Sequence, residues 1–320
     1  MHAAAQNLRG GVSPRGIRLR GQGIIEYVLI IAVICLVIVF AGPGVAGAIR
    51  NQFNLVGNTV NNGTVCVEGG ASGGGSAGTD SATVQAAIAK DAKDWTLEEQ
   101  KAVAEDIAAK GEASSAFAKA EAAMNAGTKF SVKLTNGKTL EYRIIGLNHD
   151  DLADGSGKAG LTFATANDAL GPQRMNATNT TVGGWEKSEI RSKMNSGEIW
   201  NLMPVKLRSK MRAVTKVSNN VGVTFKPSGG AQPVTTSKTT DRLFLLSYSE
   251  IWGGESYVMS WVDGNQYEYF ANGGYTNSVF GWIRTPNSPK RFYTVAPVNG
   301  DTDVEAASTV GAHAHPAFCF

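Results

Sequence analysis

From Ile24 to Ala41 the chain is apolar at every position except Glu26 and Tyr27. That length lies at the short end of the ~17 to 25 residues that cross a bilayer as a helix. Gly42-Pro43-Gly44 then breaks or kinks the run, because proline removes a helix donor and clashes with the preceding turn. Apolar positions return at helical spacing through Val45, Ala48, Ile49, Phe53 and Val56, predicting an amphipathic continuation that packs on sister copies. From Val60 to Thr79 the composition shifts to Asn, Gly and Ser, including Gly69-Gly70-Ala71-Ser72-Gly73-Gly74-Gly75-Ser76, which reads as a flexible tether.

Beyond the tether the pattern is helical, then alternating. Ala82 to Ala92 is Ala-rich. Thr96-Leu97-Glu98-Glu99 is a capping box that opens a helix running to about Ala109 and stopping at Gly111. Another helix is expected from Ser114 to Asn125, ending at Gly127. The period changes to two across Lys129 to Thr135 and Lys138 to Gly146, and the Asn136-Gly137 pair between them predicts a hairpin. Further on, strands are expected at Leu161 to Ala166, Arg212 to Ser218 and Asp241 to Ser247. Helices are expected at Trp185 to Asn195, at Ile199 to Met211 with a break near Pro204, and as one short turn at Ser249 to Trp252. Gly281 to Thr285, Arg291 to Val298, a turn at Asn299-Gly300 and His315 to Phe320 supply the closing hairpins.

Charge changes the picture at the amino terminus. Met1 to Gly21 carries Arg9, Arg15, Arg18 and Arg20 and no acid, as a segment retained on the cytoplasmic side does. A carboxylate placed inside lipid costs at least about 2.5 kcal/mol, so Glu26 at the mouth of the apolar run calls for a partner. Gly21-Gln22-Gly23-Ile24-Ile25-Glu26-Tyr27 resembles the cleavage site of type IV prepilins, most closely the short Flp class of tight-adherence pili. The resemblance implies Gly21 as the last leader residue and Gln22 as the new amino terminus, with Glu26 and Tyr27 in assembly, Glu26 pairing with a neighbouring subunit's terminal amine. It also implies a prepilin peptidase and other pilin subunits as partners, a membrane-inserted precursor, and a final location at the cell surface or on a pilus. Two other readings stand beside it: a signal anchor with Glu26 at the headgroups, or a secreted chain cut after Ala46-Gly47-Ala48. The whole chain has 30 basic and 27 acidic residues; without the leader, 26 bases face 27 acids. No cationic footprint for nucleic acid is left.

Candidate chemistry lies in three places. Asn148-His149-Asp150-Asp151-Leu152-Ala153-Asp154-Gly155 sets three carboxylates, Asp150, Asp151 and Asp154, in one polar loop that could hold calcium. The spacing is not that of an EF-hand, and a solvated turn is the alternative. His313-Ala314-His315 on a strand places both rings on one face, as a transition-metal clamp does, or as two surface residues. Aromatic residues concentrate in the last quarter of the chain. Trp261, Trp282 and Phe318 are expected to fill the core, whereas Tyr275, Phe292 and Tyr293 are expected to be exposed and to face a ligand.

Asn148-His149-Asp150-Asp151-Leu152, Gly183-Gly184-Trp185, Asp241 to Ser247, Trp282-Ile283-Arg284-Thr285-Pro286 and Pro316-Ala317-Phe318, in that order, resemble a domain of bacterial surface proteins related to the C-type-lectin-like and formylglycine-generating-enzyme folds. The resemblance covers roughly residues 92 to 320, with His315 where that domain usually has Arg. It implies an α+β fold: a long N-terminal hydrophobic pilin helix, a flexible tether, then a C-type-lectin-like head with antiparallel β-hairpins and flanking helices. The expected segments are a leader at 1–21, an assembly helix at 22–59, a linker at 60–79, a helical segment at 80–127 and a ligand-binding head at 128–320.

Lectin-like domains with variable C-terminal strands are targets of diversity-generating retroelements, which rewrite Asn codons. Thr294, Ala296, Asp301, Asp303, Ala306, Ser308, Thr309, Ala312 and His313 are reachable from such codons and complete the expected ligand surface. The oxidase branch of the superfamily uses reactive cysteines or copper, whereas Cys35 lies in the apolar run, Cys66 in the tether and Cys319 beside the terminus. Cys66 and Cys319 could bridge, or Cys319 could be buried between Phe318 and Phe320. The expected function is adhesion to a protein or glycan ligand without catalysis; a structural pilus cap or initiator is the alternative.

Overall fold

The structure, a computed structural model, describes residues 81–220, 235–253, 263–274, 280–295 and 302–320. The expected leader, assembly helix and linker lie outside the described residues, with Gly21, Gln22, Glu26, Tyr27, Cys35 and Cys66.

Three helices open the described chain. Helix α1 (Ala82–Ile88) is capped by Ser81. Helix α2 (Leu97–Lys110) begins with the expected capping box, in which Thr96 and Glu99 satisfy each other's backbone donors, and ends at Gly111. Helix α3 (Phe117–Asn125) starts later than expected, after a 3-10 turn at Gly111–Ala113. Strands β1 (Lys129–Lys133) and β2 (Thr139–Leu147) form the hairpin around Asn136-Gly137, with Phe130 opposite Tyr142 and Val132 opposite Leu140. Gly137 takes φ +82°, a left-handed conformation that glycine adopts without strain.

Strand β3 (Leu161–Thr165) pairs with β2 and is buried along its whole length. Two short helices, α4 (Gly184–Lys187) and α5 (Glu189–Asn195), replace the single helix expected at 185–195. The break falls at Ser188, whose hydroxyl caps α5 by accepting from Arg191 N. Helices α6 (Glu198–Leu202) and α7 (Val205–Arg208) flank Pro204 as expected. Strands β4 (Val214–Asn219) and β5 (Thr236–Asp241) form a separate two-stranded sheet.

The buried strand expected at Asp241–Ser247 is not laddered. Asp241 closes β5, and within the following segment Phe244 makes a single bridge to Ala317. Helices α8 (Tyr248–Trp252) and α9 (Glu268–Ala271) precede strands β6 (Gly281–Ser288), β7 (Arg291–Val295) and β8 (Thr302–Ala306), which form a three-stranded antiparallel sheet in that order. Strand β9 (Ala317–Cys319) joins the first sheet beside β3, giving the order β1-β2-β3-β9.

The expected fold class needs correction. The described fold is a mixed α/β arrangement on antiparallel sheets. None of its helices is long and apolar enough to cross a membrane, so the long pilin helix is not part of the described fold.

One hydrophobic core joins α1–α3 to all that follows. Its centre is aromatic: Tyr142 and Phe163 meet edge to face at 5.5 Å, and Phe318 packs 5.3 Å from each of them. Trp95 and Phe130 extend the stack toward the helices. The Tyr142 hydroxyl donates to Gln100 of α2, so the one polar atom of this buried ring is satisfied. Trp282 and Phe318 fill the core as expected; Trp261 lies outside the described residues.

Helix α2 approaches β3 so closely that a Cβ on Gly160 would sit 1.8 Å from the Ala104 carbonyl oxygen. Backbone, not a flexible side chain, would have to yield. Gly160→Ala is therefore expected to destabilise the protein by about 1–3 kcal/mol through overpacking. A denaturant midpoint equal to wild type would show that α2 does not rest on β3 in this way.

Candidate functional site

Two polar centres stand out, one closed and one open. The closed centre gathers Asp150, Lys216, Glu250, Asp263 and Arg284, all buried. Arg284, on β6, meets Glu250 with two parallel bonds, Nη1 to Oε2 at 2.5 Å and Nη2 to Oε1 at 2.9 Å. Its other donors reach the carbonyls of Leu245, Val217 and Asp263 and the Ser218 hydroxyl. Lys216, on β4, lies 2.6 Å from Asp150 Oδ1 and 2.5 Å from Glu250 Oε1. Its ammonium also sits 4.3 Å from the centre of the Phe244 ring. Asp150 accepts from Thr162 Oγ1 at 2.6 Å and from the Tyr267 hydroxyl. Asp263 accepts from Thr285 Oγ1 and from Ser249.

Burial alone disfavours the charged forms of Asp150, Glu250 and Lys216, and their pairing opposes it. Desolvation pushes the Asp150 carboxyl up, but Lys216 and His149 outweigh it and hold the carboxyl well below the usual carboxylate range. Glu250 is pushed up by burial and held low by Arg284 and then Lys216. Lys216 is pushed down by burial and raised overall by Asp150 and Glu250.

The open centre is a cleft of about 630 Å³ bordered by Asn125, Gly127, Arg143, Tyr269, Asn272 and Gly274. It lies where two helices end. Gly127 (φ +61°) closes α3 and Gly273 (φ +86°) closes α9, and in both cases the next amide reaches back five residues: Thr128 N to Ala123 O, and Gly274 N to Tyr269 O. Asn272 Nδ2 donates to Asn125 Oδ1 at 3.0 Å, tying the two ends together. Arg143, on β2, donates to the Tyr269 hydroxyl at 2.5 Å, with its guanidinium carbon 5.4 Å from the Tyr269 ring centre. No carboxylate lies within ion-pair distance of Arg143 among the described residues. The cleft thus presents amide donors and acceptors, a guanidinium and a phenol together.

Behind Arg143 and Tyr269 lies a second space of about 20 Å³, lined by Ile145, Leu246, Trp282, Val295, Thr165 and His315 among others. It is the size of a single water, not of an organic ligand. The Thr165 hydroxyl and both ring nitrogens of His315 lack hydrogen-bond partners of good geometry there.

The structure scatters the carboxylates expected to hold calcium. Asp150 is buried in the closed centre, Asp151 pairs with Lys158 at 3.0 Å, and Asp154 pairs with Arg212 at 2.8 Å and accepts from Ser156. Each already has a protein cation, and no group of three metal-ligating side chains occurs among the described residues. His313 and His315 do stack, at 6.2 Å, but His313 is bonded to Asp168 while His315 faces inward. Cys319 is a buried free thiol beside Thr162 and Asp150.

The expected ligand surface divides. Phe292, Tyr293 and Thr294, on the middle strand β7, are buried, and Ala312 is buried as well. Asp303 is exposed on the edge strand β8, and Ala306, Ser308, Thr309 and His313 are half-buried. Tyr275, Ala296 and Asp301 lie outside the described residues. Arg143, Tyr269, Asn125 and Asn272 were not singled out as a site by the sequence. The parallel endings Asn125-Ala126-Gly127 and Asn272-Gly273-Gly274 are the signal that could have found it.

His315 carries a pH prediction. Burial, reinforced by His313, pushes its imidazole down from 6.5 to about 4 against the opposing effect of Asp168. Between those values the unfolded chain binds a proton that the folded chain refuses. The neutral imidazole's contribution is therefore complete above pH 6.5 and falls by about 3 kcal/mol as pH drops toward 4. Denaturant melts of wild type and His315→Leu at pH 7.5 and 4.5 check this: wild type should lose more stability on acidification than the variant. Equal losses would mean that His315 titrates normally.

Among comparisons with known proteins, a family model described as a domain of unknown function (DUF6273) matches residues 159–320. No pilin or lectin family model matches. No curated protein and no solved structure matches. The matched span holds four of the five sequence motifs complete, including Trp282 to Pro286 with Arg284 at its centre. Since that span is half of the chain, the protein belongs to the DUF6273 family.

Proposed function

We propose that this chain is a surface-displayed binding protein whose folded part recognises a polar protein or glycan ligand through the cleft at Arg143 and Tyr269. The observation that carries this reading is the cleft itself. Its volume of about 630 Å³ falls within the range of about 300–1,000 Å³ usual for ligand sites, and it groups a guanidinium, a phenol and two carboxamides. A ligand rich in hydroxyl and amide groups finds both donors and acceptors there. The charges of the closed centre are engaged with one another and face no solvent, which favours recognition over turnover as the role of this domain.

Display rests on the amino-terminal sequence. The Arg-rich, acid-free segment up to Gly21 and the Gln22 to Tyr27 motif support processing by a prepilin peptidase and association with pilin subunits at the cell surface.

One experiment tests both halves. Filaments sheared from cells producing the chain are digested and sequenced by mass spectrometry, and adhesion of the same cells to target cells is measured for wild type, Arg143→Ala and Asn272→Ala. The expected results are a peptide beginning at Gln22 and a loss of adhesion of about tenfold or more for Arg143→Ala, the equivalent of about 1.4 kcal/mol. Surface display should be unchanged. Normal adhesion by both cleft variants would remove the cleft from the reading, and an intact leader would remove the pilus.

A further inference from the structure

We propose that Lys216 and Asp150 condense to an intramolecular amide, with Glu250 carrying the proton, so that the closed centre is a self-modification site. The geometry brings together every part this reaction needs. The nucleophile, Lys216 Nζ, is 2.6 Å from Asp150 Oδ1, the carboxyl it would attack. A second carboxylate, Glu250 Oε1, is 2.5 Å from the same nitrogen, close enough to take its proton directly. The hydroxyls of Thr162 and Tyr267 donate to the Asp150 oxygens at 2.6 Å and 2.9 Å, where a tetrahedral oxygen would gather charge.

The surroundings favour the same outcome. Lys216 and Asp150 side chains are only 5% and 3% exposed, and Phe244 and Tyr267 wall the amine. Water, which would hydrolyse the product, is kept away. Groups held this way react as an effectively unimolecular pair, with effective molarities on the order of 10⁵–10⁸ M in well-oriented cases. Two ions in a dry interior each carry a desolvation penalty of several kcal/mol, and an amide carries none of it.

The step balances without any outside reagent. A proton moves from the Lys216 ammonium to Asp150 along their hydrogen bond, leaving a neutral amine and a neutral acid. The amine lone pair forms the Nζ–Cγ bond, and Glu250 Oε1 accepts the second Nζ proton. That proton passes to the departing Asp150 hydroxyl, the Cγ–O bond breaks, and one water leaves. Glu250 is again a carboxylate, still held by Arg284, and accepts from the remaining amide N–H. The new carbonyl keeps Thr162 or Tyr267 as its donor.

The test is the mass of the full chain, purified from its natural producer with its amino terminus identified. The expected mass is lower than that of the sequence by one water. A protease digest should yield a branched peptide joining the segment with Asp150 to the segment with Lys216, with no cleavage after Lys216. Glu250→Gln should fold with the cross-link lost; should that variant not fold, Asp150→Ala and Lys216→Met serve to show that the missing water depends on these two side chains. A wild-type mass equal to the sequence mass, with separate Asp150 and Lys216 peptides, would overturn the proposal. Retention of the branched peptide in a folded Glu250→Gln variant would overturn the part given to Glu250.

Discussion

The bidentate pair of Arg284 with Glu250 is the constraint on which the rest of this structure depends. It is fully enclosed, and an enclosed charge is tolerated only when its partner and its remaining hydrogen bonds are all in place. Arg284 therefore dictates where four other pieces of chain must lie: the Val217–Ser218 edge of β4, the Leu245 carbonyl, the Asp263 backbone and the Ser247 cap of α8 that fixes Glu250. Removing one side of such a pair costs about 3–5 kcal/mol, against a total stability of about 5–15 kcal/mol for a typical domain. A hydrophobic replacement of the whole centre could match its energy, but it would not specify these four positions at once.

This explains which parts of the fold were legible in the sequence. The capping box at Thr96, the Asn136-Gly137 hairpin and the break at Pro204 are local devices, and the structure has them where the pattern puts them. The five ordered motifs were legible as a set, and they turn out to be one construction. Asp150 comes from the first, Trp185 donates to Asp241 across the second and third, Leu245 and Ser247 lie in the third, and Arg284 is the fourth. The fifth supplies Ala317 as the bridge partner of Phe244. Asp241 to Ser247 reads as a strand because it is apolar and bounded by polar residues. Its carbonyls are committed to Arg284 and its neighbours, so it is extended without being a ladder.

What the pattern did not convey was exposure in the last quarter. Phe292, Tyr293 and Thr294 mix apolar and hydroxyl-bearing side chains, which suits a half-exposed strand, yet all three are buried. Burial of four successive residues means that both faces of β7 are covered, which a single sequence does not state. The open cleft was hidden for a related reason: Asn125 and Asn272 lie at two helix ends 147 residues apart and meet only in three dimensions. His315 is set by the structure as a buried imidazole lining the small space behind Arg143 and Tyr269.

The closed and open centres are linked by two residues of one short segment. Tyr267 donates to Asp150 inside the closed centre, stacks on His149 at 4.0 Å and donates its backbone N–H to the Glu250 carbonyl, so the start of α9 is fixed by the ionic network. Two residues on, Tyr269 places its hydroxyl against Arg143 at the cleft. Gly146 makes this possible: a Cβ there would come within 2.8 Å of the Tyr267 ring, and β2 shifts register between Ile144 and Gly146. The cleft is therefore held from the interior as well as by the Asn272–Asn125 bond at its rim. Under the proposed reading, a recognition site held in advance loses little ordering entropy when it binds, which is where a rigid, charge-locked interior would contribute to affinity. On this argument a change at Asp150 or Glu250, neither of which can touch a ligand, weakens binding by loosening Tyr269, whereas a change at Arg143 weakens it with the interior intact.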